Sequence, residues 1–367
     1  MPLACPSVGK EEVEALKNVI ASGWLSQGEQ VEKFERKFAA YVGVEHAVAF
    51  MNGTVALHSI LLALGIGRGD EVIVPSLTFF STATSVIHAG GTPVFAEVDP
   101  ESFNLDPSDV ERKITKKTKA VMPVHYGGQP ADMKEILEIA GLRNLLVIED
   151  AAQAHGASYK GKKAGSFGDA AMFSFTPTKN ITAGEGGMVT TGDGSLAAKL
   201  RLLRNHGQEK QYHHVVVGYN YRMTELQAAV GIEQLKKLDS INKKKNVNAR
   251  YLSEKLSKFS GIVPPAIKND RTHPFTLYTL KIEEALTGFS RTELAEWLGK
   301  KGISSKVYFP PVHLQPALRY LGYGPDSLPI TEGLAAKILS LPCHPSLKRE
   351  DLEFIVSSVE ALWKSKR

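Results

Sequence analysis

Short, continuously apolar runs alternate with helical patterns through the first two-thirds of this 367-residue chain. The runs lie at 46–51, 71–74, 93–97, 120–124, 145–149, 170–175 and 187–191. Between them, apolar positions recur at helical spacing over 55–64, 81–89, 133–140 and 196–205. A strand covered by helices on both faces has no solvent side, so it reads as an unbroken apolar run. Strands alternating with helices predict a mainly parallel seven-stranded sheet in an α/β domain. Ligands of such a sheet gather beyond the carboxyl ends of its strands. The turns after Met51, Glu149 and Phe175 are three of those ends.

A long helical pattern at 223–258 follows, and then the texture changes. Gly261-Ile-Val-Pro-Pro265 and the polar stretch 268–272 are linker-like. A strand at 275–282, a helix at 291–301 and a strand at 305–309 predict a smaller α+β domain. The expected division is 1–245 and 246–367.

Composition removes several function classes. With 43% apolar and 23% charged residues, the chain is neither disordered nor fibrous. A formal charge of +5 is too mild for a nucleic-acid protein, though it suits a small anionic substrate. Lys116-Lys117, Lys162-Lys163 and Lys243-Lys244-Lys245 read as solvated helix ends and loops. Cys5 and Cys343 are too few for a disulfide framework, and no His or Cys spacing matches a metal site. The apolar stretch 47–67 is interrupted by Asn52, Gly53, Thr54, His58 and Ser59, so strand, turn and helix fit it better than a membrane span. The first residues enter the charged run Lys10-Glu11-Glu12 without the features of a signal peptide, and a cytoplasmic protein is expected.

Three strand ends carry chemistry. Lys179 follows the run ending at Phe175 and precedes the bend Gly184-Glu-Gly-Gly187. Asp150 closes the run Val147-Ile-Glu149, 29 residues earlier. A lysine amine and a poorly solvated carboxylate at successive strand ends form the polar pair that pyridoxal 5′-phosphate (PLP) needs. The amine condenses with the aldehyde, and the carboxylate keeps the pyridine nitrogen protonated. Asn52-Gly53-Thr54 stands between a strand and a helix, where Gly53 lets the backbone approach an anion and the free N–H groups favour phosphate. A dinucleotide-binding dehydrogenase would want Gly-x-Gly-x-x-Gly here, and the turn reads Met51-Asn-Gly-Thr-Val-Ala-Leu57.

Taken together, Val147-Ile-Glu-Asp150-Ala-Ala-Gln153, Phe173-Ser-Phe…Lys179-Asn…Gly184-Glu-Gly-Gly187 and Gly218-Tyr-Asn220-Tyr-Arg-Met223 resemble the sugar aminotransferases of the DegT/DnrJ/EryC1/StrS family. That family is a branch of the fold type I, aspartate aminotransferase-like PLP enzymes. The resemblance runs from about Ala21 to Pro345. It implies Lys179 and Asp150 as catalytic residues, and Gly53, Thr54, Ser174 and Gln153 as cofactor contacts. Phe79 is implied as the aromatic stacked on the ring. Asn220 is implied to reach the cofactor phosphate of the neighbouring subunit in a homodimer. Trp24, Tyr308 and His313 are implied to border the sugar. At position 52 the family more often has serine; the backbone role does not depend on it. Relatives that dehydrate sugars replace the lysine with histidine, and this chain keeps Lys179. The implied reaction moves an amino group from glutamate or glutamine to a nucleotide-linked keto-sugar. A keto-cyclitol acceptor and a PLP-binding regulator without turnover are the alternatives.

Overall fold

The computed structural model describes residues 1–367. Two helices open the chain, α1 (Lys10–Ser22) and α2 (Glu29–Val42). The sheet strands follow as β1 (His46–Phe50), β2 (Glu71–Pro75), β3 (Thr92–Ala96), β4 (Thr118–Val121), β5 (Leu146–Asp150), β6 (Ala170–Ser174) and β7 (Gly187–Thr191). Helices α3 (Gly53–Ala63), α4 (Phe80–His88), α5 (Pro107–Lys113), α6 (Met133–Arg143) and α7 (Gly194–Arg204) connect or follow them. The sheet order is β1-β7-β6-β5-β4-β2-β3. Only β7 runs against its neighbours, pairing antiparallel with both β1 and β6. The seven-stranded, mainly parallel sheet expected from the apolar runs is the one observed.

Each strand feeds two cores because its side chains alternate in direction. Val48 and Phe50 of β1 enter one buried cluster with Leu57, Ile60 and Leu61 of α3, while Ala47 and Ala49 face a second with Phe34 and Phe38 of α2. Met172 and Phe173 of β6 divide between the same two cores. This two-sided burial is why the runs carry almost no polar residues. The stretch 47–67 resolves into β1, a turn and α3, and no helix is long and apolar enough to cross a membrane.

Helix α8 (Glu225–Leu256) joins the two halves. A capping box starts it: Thr224 Oγ1 accepts from the Gln227 amide at 3.3 Å, and Gln227 Oε1 accepts from the Thr224 amide at 2.9 Å. Its Ile232, Leu238 and Ile241 pack in the large core, whereas Ala249, Leu252 and Leu256 pack in the small one. The expected division at 245/246 therefore falls inside one continuous helix. The small module holds β8 (Ile262–Val263), β9 (Tyr278–Ile282) and β10 (Ile338–Leu341) as an antiparallel sheet. Helices α9 (Arg291–Lys300), α10 (Pro329–Lys337) and α11 (Arg349–Ser365) accompany it. One expectation fails here. Residues 305–309 make only a single bridge, Lys306 to Ser340 of β10, while β9 is flanked by β8 and β10. Met1 also belongs to this module, where its amino group donates to the Gly302 carbonyl at 2.5 Å.

Candidate active site

At one edge of the sheet the ends of β1, β2, β5 and β6 meet the start of β7. Asp150 is the last residue of β5 and is buried between strands. Its amide donates to the Pro123 carbonyl at 2.9 Å, and its own carbonyl accepts from the His125 amide at 3.1 Å. The carboxylate has no cation bonded to it. Thr82 Oγ1 of α4 donates to Oδ2 at 2.7 Å, and the Ala152 amide donates to Oδ1 at 3.2 Å. Since the Thr82 proton goes to the carboxylate, Thr78 Oγ1 is the donor in its 2.8 Å bond with Thr82. Burial pushes the Asp150 carboxyl up, against the pull of Thr82, Ala152 and Lys179.

Lys179 lies on the loop between β6 and β7. Phe175 fixes the base of that loop through its amide to the Gly186 carbonyl at 2.9 Å and its carbonyl to the Ala183 amide at 3.0 Å. Burial pulls the Lys179 ammonium down to about 8, and the Asp150 charge opposes the fall. An amine so placed is a usable nucleophile and proton carrier near neutral pH.

Two backbone contacts shape the turn after β1. A Cβ on Gly53 would meet Met172 Sδ at 2.9 Å and Ser174 Cβ at 3.3 Å; one on Gly187 would meet the Asn52 carbonyl oxygen at 2.4 Å. Glycine at both positions lets the start of α3 sit against the end of β6. Asn52 Oδ1 caps α3 by accepting from the Val55 amide at 3.0 Å, while the Gly53 and Thr54 amides have no partner. With Ser174 beside them, these amides could cradle a phosphate.

Gln153 is buried, and its Oε1 accepts from the Gly127 amide at 2.7 Å, leaving its amide nitrogen without a protein partner. Phe79 is 59% exposed despite its aromatic ring, with Phe309 edge-on at 6.0 Å. Phe80 packs against the core instead. A buried uncompensated carboxylate, an amine, a phosphate cradle, an idle amide donor and an exposed ring suit a phosphate-bearing pyridine aldehyde.

The other expected residues divide. Tyr308 adjoins Phe309 and hence Phe79, and its carbonyl accepts from the Tyr126 hydroxyl. Asn220 is exposed with no side-chain partner in its own chain; the next carbonyl, of Tyr221, accepts from the Met51 amide at 2.9 Å. Trp24 is exposed on a separate opening walled by α1 and the start of α8, where none of the other expected site residues lies. His313 departs from expectation. It is 1% exposed, with Nδ1 bonded to Ser76 Oγ at 2.6 Å and Nε2 to Glu332 at 3.1 Å. Both ring nitrogens are engaged, so it braces the turn after β2 against α10.

Sequence reasoning missed Thr82, His125 and Lys245. Thr82 sits one turn into α4, just past a strand end. His125 follows β4, a fourth strand end, and its Nε2 bonds the buried Glu149 at 2.9 Å behind Asp150. For these two, position after an apolar run was an available signal. Lys245 had none. The expectation of a solvated lysine cluster is wrong for it: it is 5% exposed and donates to Asn180 Oδ1 at 2.7 Å, next to Lys179.

Comparison with known proteins agrees with this geometry. The DegT/DnrJ/EryC1/StrS aminotransferase family matches residues 6–360. The chain is 41% identical to the spore coat polysaccharide biosynthesis protein SpsC of Bacillus subtilis, covering 99% of this chain and 97% of that one. It is 43% identical to GDP-perosamine synthase of Caulobacter vibrioides, over 98% and 97% respectively. The crystal structure of S. venezuelae DesV with a ketimine intermediate superposes with a TM-score of 0.92 at 40% identity, covering 96% of this chain and 94% of that one. The chain therefore belongs to the DegT/DnrJ/EryC1/StrS aminotransferases and is a PLP-dependent enzyme of that family.

Proposed function

We propose that this enzyme moves an amino group from glutamate or glutamine onto a keto-sugar carried by a nucleoside diphosphate, in making the amino sugars of surface polysaccharides. The observation that carries the reading is the end-to-end similarity to a GDP-perosamine synthase in a chain that keeps Lys179. The small module adds support. Its buried arginine, Arg271, is tied to Asp132 and Asp270 at 2.7 Å each, so it is not free to clamp a keto acid.

PLP, when bound, supplies the electron sink for the pair left as a proton leaves the substrate carbon. The Gly53 and Thr54 amides and the Ser174 hydroxyl would hold its phosphate. The Asp150 carboxylate, oriented by Thr82, would hold the proton on the ring nitrogen. Gln153 would offer its amide N–H to the ring oxygen, and Phe79 would cover one ring face. Lys179 Nζ would carry the proton from the donor's carbon to the cofactor's aldehyde carbon in one half of the cycle, and from that carbon to the sugar carbon in the other. Tyr308 and Phe309 wall the acceptor side. Trp24, apart from this group in one chain, reaches a sugar only across a subunit boundary. Support for a homodimer comes from exposed Asn220 and the neighbouring exposed Val215, Val216 and Val217. Two free cysteines suit a reducing cytoplasm.

The test incubates the holoenzyme and glutamate with a panel of nucleotide-linked 3-keto and 4-keto sugars and with 2-keto acids, with products read by mass spectrometry. An amino sugar is expected. A 2-keto acid that outperforms every sugar as acceptor would overturn the sugar assignment.

A further inference from the structure

Lys245 is a buried cation without a counter-charge. Its Nζ donates to Asn180 Oδ1 at 2.7 Å and to the Thr276 carbonyl at 3.5 Å, both neutral acceptors. No carboxylate offsets it, and burial pulls it down to about 8. Isolating an ammonium from water without an anion is costly, so proteins pair such groups. Asn180 cannot turn toward a further guest, because its own amide donates to Asn242 Oδ1 at 2.6 Å and the Pro274 carbonyl at 2.8 Å.

Lys245 lines a small cavity of about 20 Å³, whose wall also includes Lys179 and His344. None of its 18 lining residues is acidic. His344 Nε2 is buried there and lacks a hydrogen-bond partner, while Nδ1 bonds Ser346 Oγ at 3.3 Å. One buried nitrogen at this cavity thus lacks a partner and one buried ammonium lacks a counter-charge, and both can donate. A volume of this size admits one water-sized group.

We propose that this cavity binds a small monovalent anionic group, a carboxylate or a halide, held between Lys245 Nζ and His344 Nε2. The site adjoins the lysine that handles the proton, so the carboxylate of the amino donor is the group it receives in turnover. The donor half of this proposal rests on the aminotransferase reading above; the anion site does not.

The first measurement uses the wild-type holoenzyme alone. Crystals soaked in sodium bromide and measured at the bromine edge should show an anomalous peak between Lys245 and His344; a featureless map there overturns the site. The second compares glutamate kinetics in chloride and gluconate at equal ionic strength. Competition, seen as a chloride-dependent rise in KM at constant kcat, identifies the donor carboxylate as occupant. A saturable effect on kcat at constant KM identifies a resident halide and removes the donor role. Lys245→Met should raise the KM for glutamate roughly tenfold or more, the loss of a charge-assisted bond, and abolish the chloride effect. An identical chloride response in the variant overturns the assignment to Lys245. If glutamate gives no half-reaction at all, the donor reading falls while a bromide peak still stands.

Discussion

Burial sets the working state of both reactive groups at the residue scale. Lys179 is pulled to about 8, so its amine is largely protonated below that pH and largely free above it. Only the free amine attacks an aldehyde. The rate at which apoenzyme captures PLP should therefore rise with pH and level off above about 8, instead of climbing toward the usual lysine range; stopped-flow absorbance reads this directly. Lys179→Ala should retain PLP non-covalently and lose turnover by at least about 10²-fold. The Asp150 carboxyl is pushed up by burial and restrained by Thr82. Thr82→Val removes that restraint, so protonation sets in at higher pH as the medium is acidified. The acid limb of kcat/KM should move upward by roughly 1–2 pH units, and an unmoved limb would remove Thr82 from the argument.

Three elements meet at one buried ion pair, which ties β1 at Ala49, just ahead of the turn Asn52-Gly53-Thr54. Glu35 of α2 accepts from the Ala49 amide of β1 at 2.8 Å and from Arg204 Nη1 of α7 at 2.5 Å. Arg204 Nη1 also donates to the Ala49 carbonyl at 2.7 Å. Both side chains are nearly sealed from water. Glu35→Ala strands a buried guanidinium and should cost about 3–5 kcal/mol in urea unfolding. The double variant Glu35→Leu, Arg204→Met removes both charges and should recover much of that loss. A single variant as stable as the wild type would show that the clamp contributes nothing.

Over the whole molecule, the question is whether one chain holds a complete site. Asn220 has no partner within its chain, and Val217 beside it is 89% exposed. In a two-fold dimer that shares sites, mixing Lys179→Ala with Asn220→Ala leaves one intact site in each hybrid. Statistical exchange should then restore about a quarter of wild-type activity from two inactive parents. No recovery, with subunit exchange proven by mass spectrometry, would mean that each chain works alone.

Sequence by itself determined the sheet, the helices between its strands and the turns that carry Gly53, Asp150 and Lys179. Those features are local: burial on both faces leaves an unbroken apolar run, and a reactive residue at a strand end needs only its own neighbours to be recognised. It also determined the family, because the motifs around Asp150, Lys179 and Asn220 are specific as a set. Tertiary structure alone decided what depends on distant partners. Strand β10 forms because Ile338–Leu341 finds Tyr278–Ile282, and 305–309 reaches it by a single bridge. His313 became a brace because Ser76 and Glu332 claim its two nitrogens. Lys245 is chemically indistinguishable from Lys243 and Lys244 along the chain. Its burial follows from the face of α8 that meets the Lys179 loop and β9, and no local pattern records which face that will be.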